Sequence, residues 1–176
     1  MILIDYAGFY RRIGAYCKAS GIKAFYYISP KVWAWRQDRA WALKKTIDRM
    51  FVILPFEKEF FKKKVGWDVD YVGNPVLDAV KSFKRDSNFS DRYNLPKSKE
   101  IVALLPGSRA QELKYILPVM TGIVETNPTV HFAVATVSNL DGSLYEPFRK
   151  FQNVSFIEEA TYDLLSVAKA AVVTSG

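Results

Sequence analysis

Eight short runs rich in Val, Ile and aromatic residues recur along this chain, most of them separated by stretches of helical periodicity. The runs are Ile2–Asp5, Ile22–Ile28, Met50–Leu54, Val69–Val72, Ile101–Leu105, Val130–Thr136, Val154–Ile157 and Ala171–Thr174. Most are continuously apolar rather than alternating, which is how parallel strands covered on both faces read. Alternation of such strands with helices predicts α/β layers built on a parallel sheet. Helices are expected over Phe9–Ala19, from Trp33 to about Asp48, from Pro55 onward, over Arg109–Glu125 and over Thr161–Ala168. The Pro55 helix has Glu57 and Glu59 in its first turn and Lys62, Lys63 and Lys64 at its end, where the macrodipole favours each sign. In the Arg109 helix, Leu113, Ile116, Leu117, Met120, Ile123 and Val124 share one face, and Pro118 is expected to kink the helix or shift its start. The rhythm breaks over 81–99, a polar segment holding Ser, Asn, Asp, Lys and Pro96. The expected organisation is therefore one domain over 1–80, a linker over 81–99 and a second domain over 100–176.

Composition narrows the function classes. Hydrophobic residues make up 49% of the chain, enough for a packed core. No apolar run reaches the roughly 18 residues of a membrane-spanning helix, and Met1-Ile2-Leu3-Ile4-Asp5 lacks the basic start of a signal peptide. Cys17 is the one cysteine, so there is no internal disulfide and no cysteine-based metal cluster. His131, the one histidine, lies in a buried-type strand and reads as core rather than catalytic. Charge is uneven. Residues 1–85 carry 17 Lys/Arg against 8 Asp/Glu, whereas residues 86–176 carry 8 against 10. A basic first half suits an anionic surface, nucleic acid or anionic lipid, as well as a merely solvated face. The first residues lead straight into a strand, and the last strand runs into a loop that stops at Gly176. The chain is therefore expected to be an interior fragment of a longer protein, inactive by itself.

Three places carry candidate chemistry. Ala103–Arg109 reads as strand, Pro-Gly-Ser turn, arginine and helix. That order aims backbone N–H groups and a guanidinium at one point, as phosphate binding requires. Arg109 beside a helix N-terminus needs an anion, and Glu112 is one available partner. Ser175 and Gly176, after the last strand, are placed to open a second phosphate-binding loop. Asp5 ends the first strand, where an α/β protein places ligands; it reads either as a general base for a hydroxyl or as a cap for the next helix. Trp33, Trp35 and Trp41 interleave with Lys31, Arg36, Arg39, Lys44 and Lys45. This mixture suits a membrane interface, a phosphorylated lipid or single-stranded nucleic acid; alternatively the tryptophans pack on the sheet, at least one of them in the core. No Walker loop, GxSxG elbow or GxGxxG fingerprint is present.

The blocks SPKVWAWRQDR, LPFEKEFF, YVGNPVLDAV and LLPGSRAQELKYILPVM, in this order, resemble the lipid-A-disaccharide synthase family from Ile4 to Gly176. The resemblance implies the GT-B architecture, two Rossmann-like parallel-sheet domains, both incomplete in this fragment: the later part of an acceptor-side domain and the first part of a nucleotide-sugar-binding domain. It implies an inverting transfer of diacylglucosamine from a UDP-diacylglucosamine donor to a lipid monosaccharide phosphate acceptor, without a metal or other cofactor. It also implies no nucleic-acid partner and a cytoplasmic location, peripheral at the anionic surface of the inner membrane. On this resemblance Asp5 is the catalytic base, and Gly107, Ser108, Arg109, Ser175 and Gly176 bind nucleotide phosphate. Trp33, Trp35, Arg36 and Arg39 lie on the acceptor or membrane side. Ala7 and Tyr10 depart from the family pattern, which has proline and asparagine there. The alternatives are another GT-B enzyme, such as a UDP-sugar epimerase, or a non-catalytic basic module binding anionic lipid or nucleic acid.

Overall fold

A computed structural model describes residues 1–174 of the chain. The described residues divide into two units, the first Met1–Ser82 and the second beginning at Phe83. In the first, β1 (Ile2–Ile4), β2 (Phe25–Tyr27), β3 (Arg49–Val52) and β4 (Asp70–Tyr71) form a parallel sheet in sequential order. They are linked by α1 (Ala7–Ala19), α2 (Asp38–Thr46) and α3 (Pro55–Phe60), the last continued by a π turn, Phe61–Val65; α4 (Pro75–Ser82) follows β4. Right-handed crossovers that always step the same way put their helices on the same face. The register shows the result. Leu3, Tyr26 and Met50 lie side by side across the sheet and are buried with Val52, Cys17, Leu43 and Phe61. The alternate row, Ile2, Phe25 and Arg49, faces the other way, and Ile2 and Ile4 are 67% and 52% exposed. The expectation of strands covered on both faces therefore fails here: α1 to α3 cover one face only.

The second unit meets that expectation. Its parallel sheet has the order β7-β6-β5-β8, from β5 (Ile101–Leu105), β6 (His131–Thr136), β7 (Val154–Glu158) and β8 (Ala170–Val173). On one face Leu104, Phe132 and Val134 pack against Leu113, Leu117 and Met120 of α6 (Ala110–Thr126), and against Tyr145 and Phe148 of a 3-10 helix, Gly142–Phe148. On the other, Ile101, Ala103, Ala133 and Ile157 pack against Phe89 of α5 (Phe89–Arg92), Leu95 and Leu164 of α7 (Thr161–Val167). The segment read as a linker thus contributes two core side chains, Phe89 and Leu95. α6 runs on through Pro118 and starts at Ala110, with the expected first residue Arg109 as its N-cap, so Pro118 does not shift the start. His131 is buried and hydrogen-bonds Ser155 at 2.9 Å. Among the described residues no helix is long and apolar enough to cross a membrane, and none forms a group of three or more metal-ligating side chains.

Candidate functional site

Each unit carries candidate residues at the carboxyl edge of its sheet, and each edge is described by itself. In the first unit, the chain leaves β1 through Asp5 and Tyr6, both with left-handed backbone (φ 53° and 32°), before entering α1 at Ala7. The Asp5 N–H donates to the Tyr27 carbonyl at 3.0 Å, and the Asp5 carbonyl accepts the Tyr26 hydroxyl. Burial, with smaller contributions from Asp5 and Tyr10, pushes the Tyr26 phenol well above its ordinary range, so it stays a donor. The Asp5 backbone is therefore fixed at both ends while its side chain is exposed. No side chain caps α1, so the helix-cap reading of Asp5 does not hold. Tyr10 packs its ring edge-on against Tyr26, 6.3 Å between centroids, as part of the core's margin.

The loop after β2 needed the structure to be understood. Trp33–Gln37, expected to open a helix, lies outside α2, which runs Asp38–Thr46; Arg36 has φ 56°. What holds the loop is Glu57, only 1% exposed. One carboxylate oxygen accepts the Ser29 hydroxyl at 2.8 Å and the Trp33 indole N–H at 3.2 Å. The other accepts the Leu54 and Ile53 N–H groups at 2.9 and 3.2 Å. One buried carboxylate thus ties the loop after β2 to the turn after β3. By sequence Glu57 has only a first-turn position that suits the macrodipole; the one signal for more is its spacing of three after Leu54, the N3 position of a helix start.

The tryptophans divide. Trp33 is half-buried, edge-on to Phe56 at 4.8 Å. Trp35 and Trp41 are 64% and 51% exposed, so these two do not pack on the sheet. The Arg39 guanidinium lies over the Trp35 ring at 5.4 Å. Arg36 is held bidentately by Asp38, with both N···O distances 3.1 Å; this raises the Arg36 pKa and lowers that of Asp38. Ile28, immediately after β2, also has positive φ, 64°. Asp5, Tyr6, Ile28 and Arg36 are thus four non-glycine residues in a costly backbone region, all in loops at or beyond the carboxyl ends of β1 and β2. Strain of this kind persists where the surroundings over-determine it.

In the second unit, the strand order reverses at β5. The chain steps from β5 to β6 and β7 on one side, then returns to place β8 on the other. The crevice at such a switch point is where open α/β sheets bind ligands. Pro106-Gly107-Ser108-Arg109 is the loop that leaves β5 there, beside the end of β8, where the Thr174 hydroxyl donates to the Leu105 carbonyl at 2.9 Å. Gly107 has φ 105°, which a side chain rarely adopts. The loop is occupied from within the chain: the Glu112 carboxylate accepts the Ser108 N–H at 3.3 Å and the Arg109 guanidinium at 2.8 Å. Arg109, and secondarily the Ser108 N–H, hold the Glu112 carboxyl below its usual range. An anion therefore sits where the turn's donors point, and it belongs to Glu112. Gly107→Ala is expected to destabilise the second unit by about 1–3 kcal/mol, because an L side chain is strained at φ 105°, while the Glu112 carboxylate, 2.6 Å from the new Cβ, swings aside. A denaturation midpoint equal to wild type would refute this. The candidates Ser175 and Gly176 lie outside the described residues.

Two parallel α/β units in succession, with candidate ligand residues on a carboxyl edge of each, define a chain of the GT-B type. A crystal structure of a putative UDP-N-acetylglucosamine 2-epimerase from Listeria monocytogenes has the same fold, with TM-score 0.62 and 13% identity, over 99% of this chain and 52% of that one. The family is settled by sequence. The profile described as Lipid-A-disaccharide synthetase matches residues 1–176, and the chain belongs to that family. It is 40% identical to the lipid-A-disaccharide synthase of Syntrophus aciditrophicus (strain SB) and 36% identical to that of Coxiella burnetii (strain Dugway 5J108-111). In both comparisons all of this chain is matched, and it spans about half the relative's length, 48% and 47%.

Proposed function

We propose that this chain supplies part of a glycosyltransferase of lipid A biosynthesis. The enzyme moves diacylglucosamine from UDP-2,3-diacylglucosamine to the 6-hydroxyl of 2,3-diacylglucosamine 1-phosphate. The observation that carries the reading is Asp5: an exposed carboxylate on a backbone pinned at both ends, at the sheet edge where ligands bind, in a chain of this family. Asp5 takes the hydroxyl proton as the acceptor oxygen attacks the donor's anomeric carbon. The bond from that carbon to the diphosphate breaks with inversion, and UDP leaves with the electron pair. Gly107, Ser108 and Arg109 stabilise the diphosphate charge as it develops, Glu112 giving up its place to the stronger anion. Trp33, Trp35, Arg36 and Arg39 serve the acceptor side.

The first unit, 15 Lys/Arg against 8 Asp/Glu, docks on anionic lipid at the cytoplasmic face of the inner membrane, with the exposed Trp35 and Trp41 at the interface. The test is the full product of the gene incubated with both lipid substrates. Formation of a β-1,6-linked disaccharide with one UDP released per transfer is expected. UDP-sugar epimerisation, or transfer only to a soluble sugar, would replace this reading with the rival enzyme.

A further inference from the structure

A pocket in the first unit is lined by four basic residues from three segments. Arg11 comes from α1, Lys31 from the loop after β2, and Arg36 and Arg39 from the start of α2 and the residues before it; the Trp35 ring forms part of the wall. No carboxylate lines it. Among the described residues only Arg36 of the four has an acidic partner, Asp38. Arg11 and Lys31 line the pocket without a salt-bridge partner among those residues, while Arg39, whose charge reaches Asp38, is oriented by its stacking on Trp35. Basic side chains that line one cavity with no carboxylate among them suit an anion of more than one charge. Ala7, the first residue of α1, also lines the pocket, so the unpaired N–H groups of an uncapped 13-residue helix begin at its wall. The rigidity argues for a built site. The loop carrying Lys31 is tied down by Glu57, and Arg36 is held in a left-handed backbone by its fork onto Asp38.

Asp5 precedes Ala7 by two residues, so their Cα atoms are at most about 7 Å apart. A carboxylate and a pocket lined by basic residues thus lie at the same strand end, their nearest backbone positions two residues apart. We infer that this pocket is the subsite for the phosphate monoester of the acceptor sugar, with Arg11 and Lys31 as phosphate ligands beside Arg39. This rests on the transferase reading above. The acceptor's phosphate anchors one end of the ring in the pocket, and its free hydroxyl lies toward Asp5. A sugar lacking the phosphate is bound poorly, so the pocket selects a phosphorylated acceptor.

The test uses glucosamine 1-phosphate, glucosamine and inorganic phosphate as soluble probes, followed by tryptophan emission and titration calorimetry on the chain. Phosphatidylglycerol vesicles form a separate arm. Glucosamine 1-phosphate is expected to bind in competition with inorganic phosphate, and glucosamine not to bind. Arg11→Gln and Lys31→Gln are each expected to weaken the sugar phosphate about tenfold or more, and Lys63→Gln, outside the pocket, to leave it unchanged. Wild-type affinity in the Arg11→Gln, Lys31→Gln double variant overturns the proposal. So does loss of vesicle binding with the sugar phosphate still held, which would make the pocket a lipid headgroup site. Transfer assays on the full gene product separate the two readings. Arg11→Gln turning over with unchanged acceptor KM sinks the subsite and leaves the transferase. Pocket binding without any transfer sinks the transferase, and with it the acceptor role, and leaves a site that binds a sugar phosphate.

Discussion

Asp5→Asn is expected to lower kcat for sugar transfer by about 10²–10⁴-fold, the range a positioned general base contributes, while acceptor KM stays within about threefold. The substitution is a clean probe because of the backbone at this position. Asp5 has φ 53°, a region that Asn tolerates as well as Asp does and Ala does not. Its fold-level contacts are made by main-chain atoms, the N–H to Tyr27 and the carbonyl from Tyr26, so neither depends on the carboxylate. Asparagine therefore keeps the loop and a hydrogen bond to the hydroxyl, and loses only the ability to accept its proton. Asp5→Ala would mix that loss with strain and report less. Disaccharide formation by Asp5→Asn at a rate within threefold of wild type would remove Asp5 from the chemistry, whatever the family relationship.

The parallel strands were legible because most are continuous apolar runs rich in Val, Ile and aromatic residues, and all eight occur in the structure within a few residues of their expected bounds. The turn after β5 was legible too, since Pro-Gly-Ser-Arg before a helical pattern has few other readings; Glu112 was visible as a partner for Arg109 and is that partner. What sequence could not show depended on contacts distant along the chain. The start of α2 was set too early because Trp33 and Arg36 are held in non-helical positions from outside, by Glu57 and by a strained backbone. α4 went unread because its Val76, Leu77 and Val80 follow a Gly-Asn-Pro turn that dominated the local pattern, and none of its residues is buried. Phe89 and Leu95 were lost in a polar stretch, although two well-spaced apolar residues suffice to cover one face of a sheet. Arg11 had no distinguishing signal, since a pocket assembled from α1, a loop and α2 exists only once the crossovers have brought them together.

Glu57 gives the second large effect, and it separates a local from a long-range role. If Glu57 only complemented the dipole of α3, Glu57→Gln and Glu59→Gln would cost the same few tenths of a kcal/mol, for both acids lie in the first turns of that helix. The structure makes them unequal. Glu59 is exposed and pairs with Lys63 on the surface, a contact worth at most about 1 kcal/mol. Glu57 is enclosed and accepts from four donors drawn from two loops. Glutamine keeps one acceptor oxygen and turns an NH2 group toward the donors of the other, leaving buried N–H or O–H groups facing N–H groups. The expected loss is about 3 kcal/mol. For a unit of this size that lowers the unfolding midpoint by roughly 12–24 °C, against a shift of a few degrees for Glu59→Gln. Because the tie between the turn after β3 and the loop of Ser29 and Trp33 needs both oxygens, it is broken whichever oxygen is replaced; the loop bearing Lys31, Trp35 and Arg36 loosens as well, so phosphate affinity falls in Glu57→Gln even below its melting range. Equal midpoints for the two variants would mean that the loop holds itself, and the rigidity ascribed to the cationic pocket would need another source.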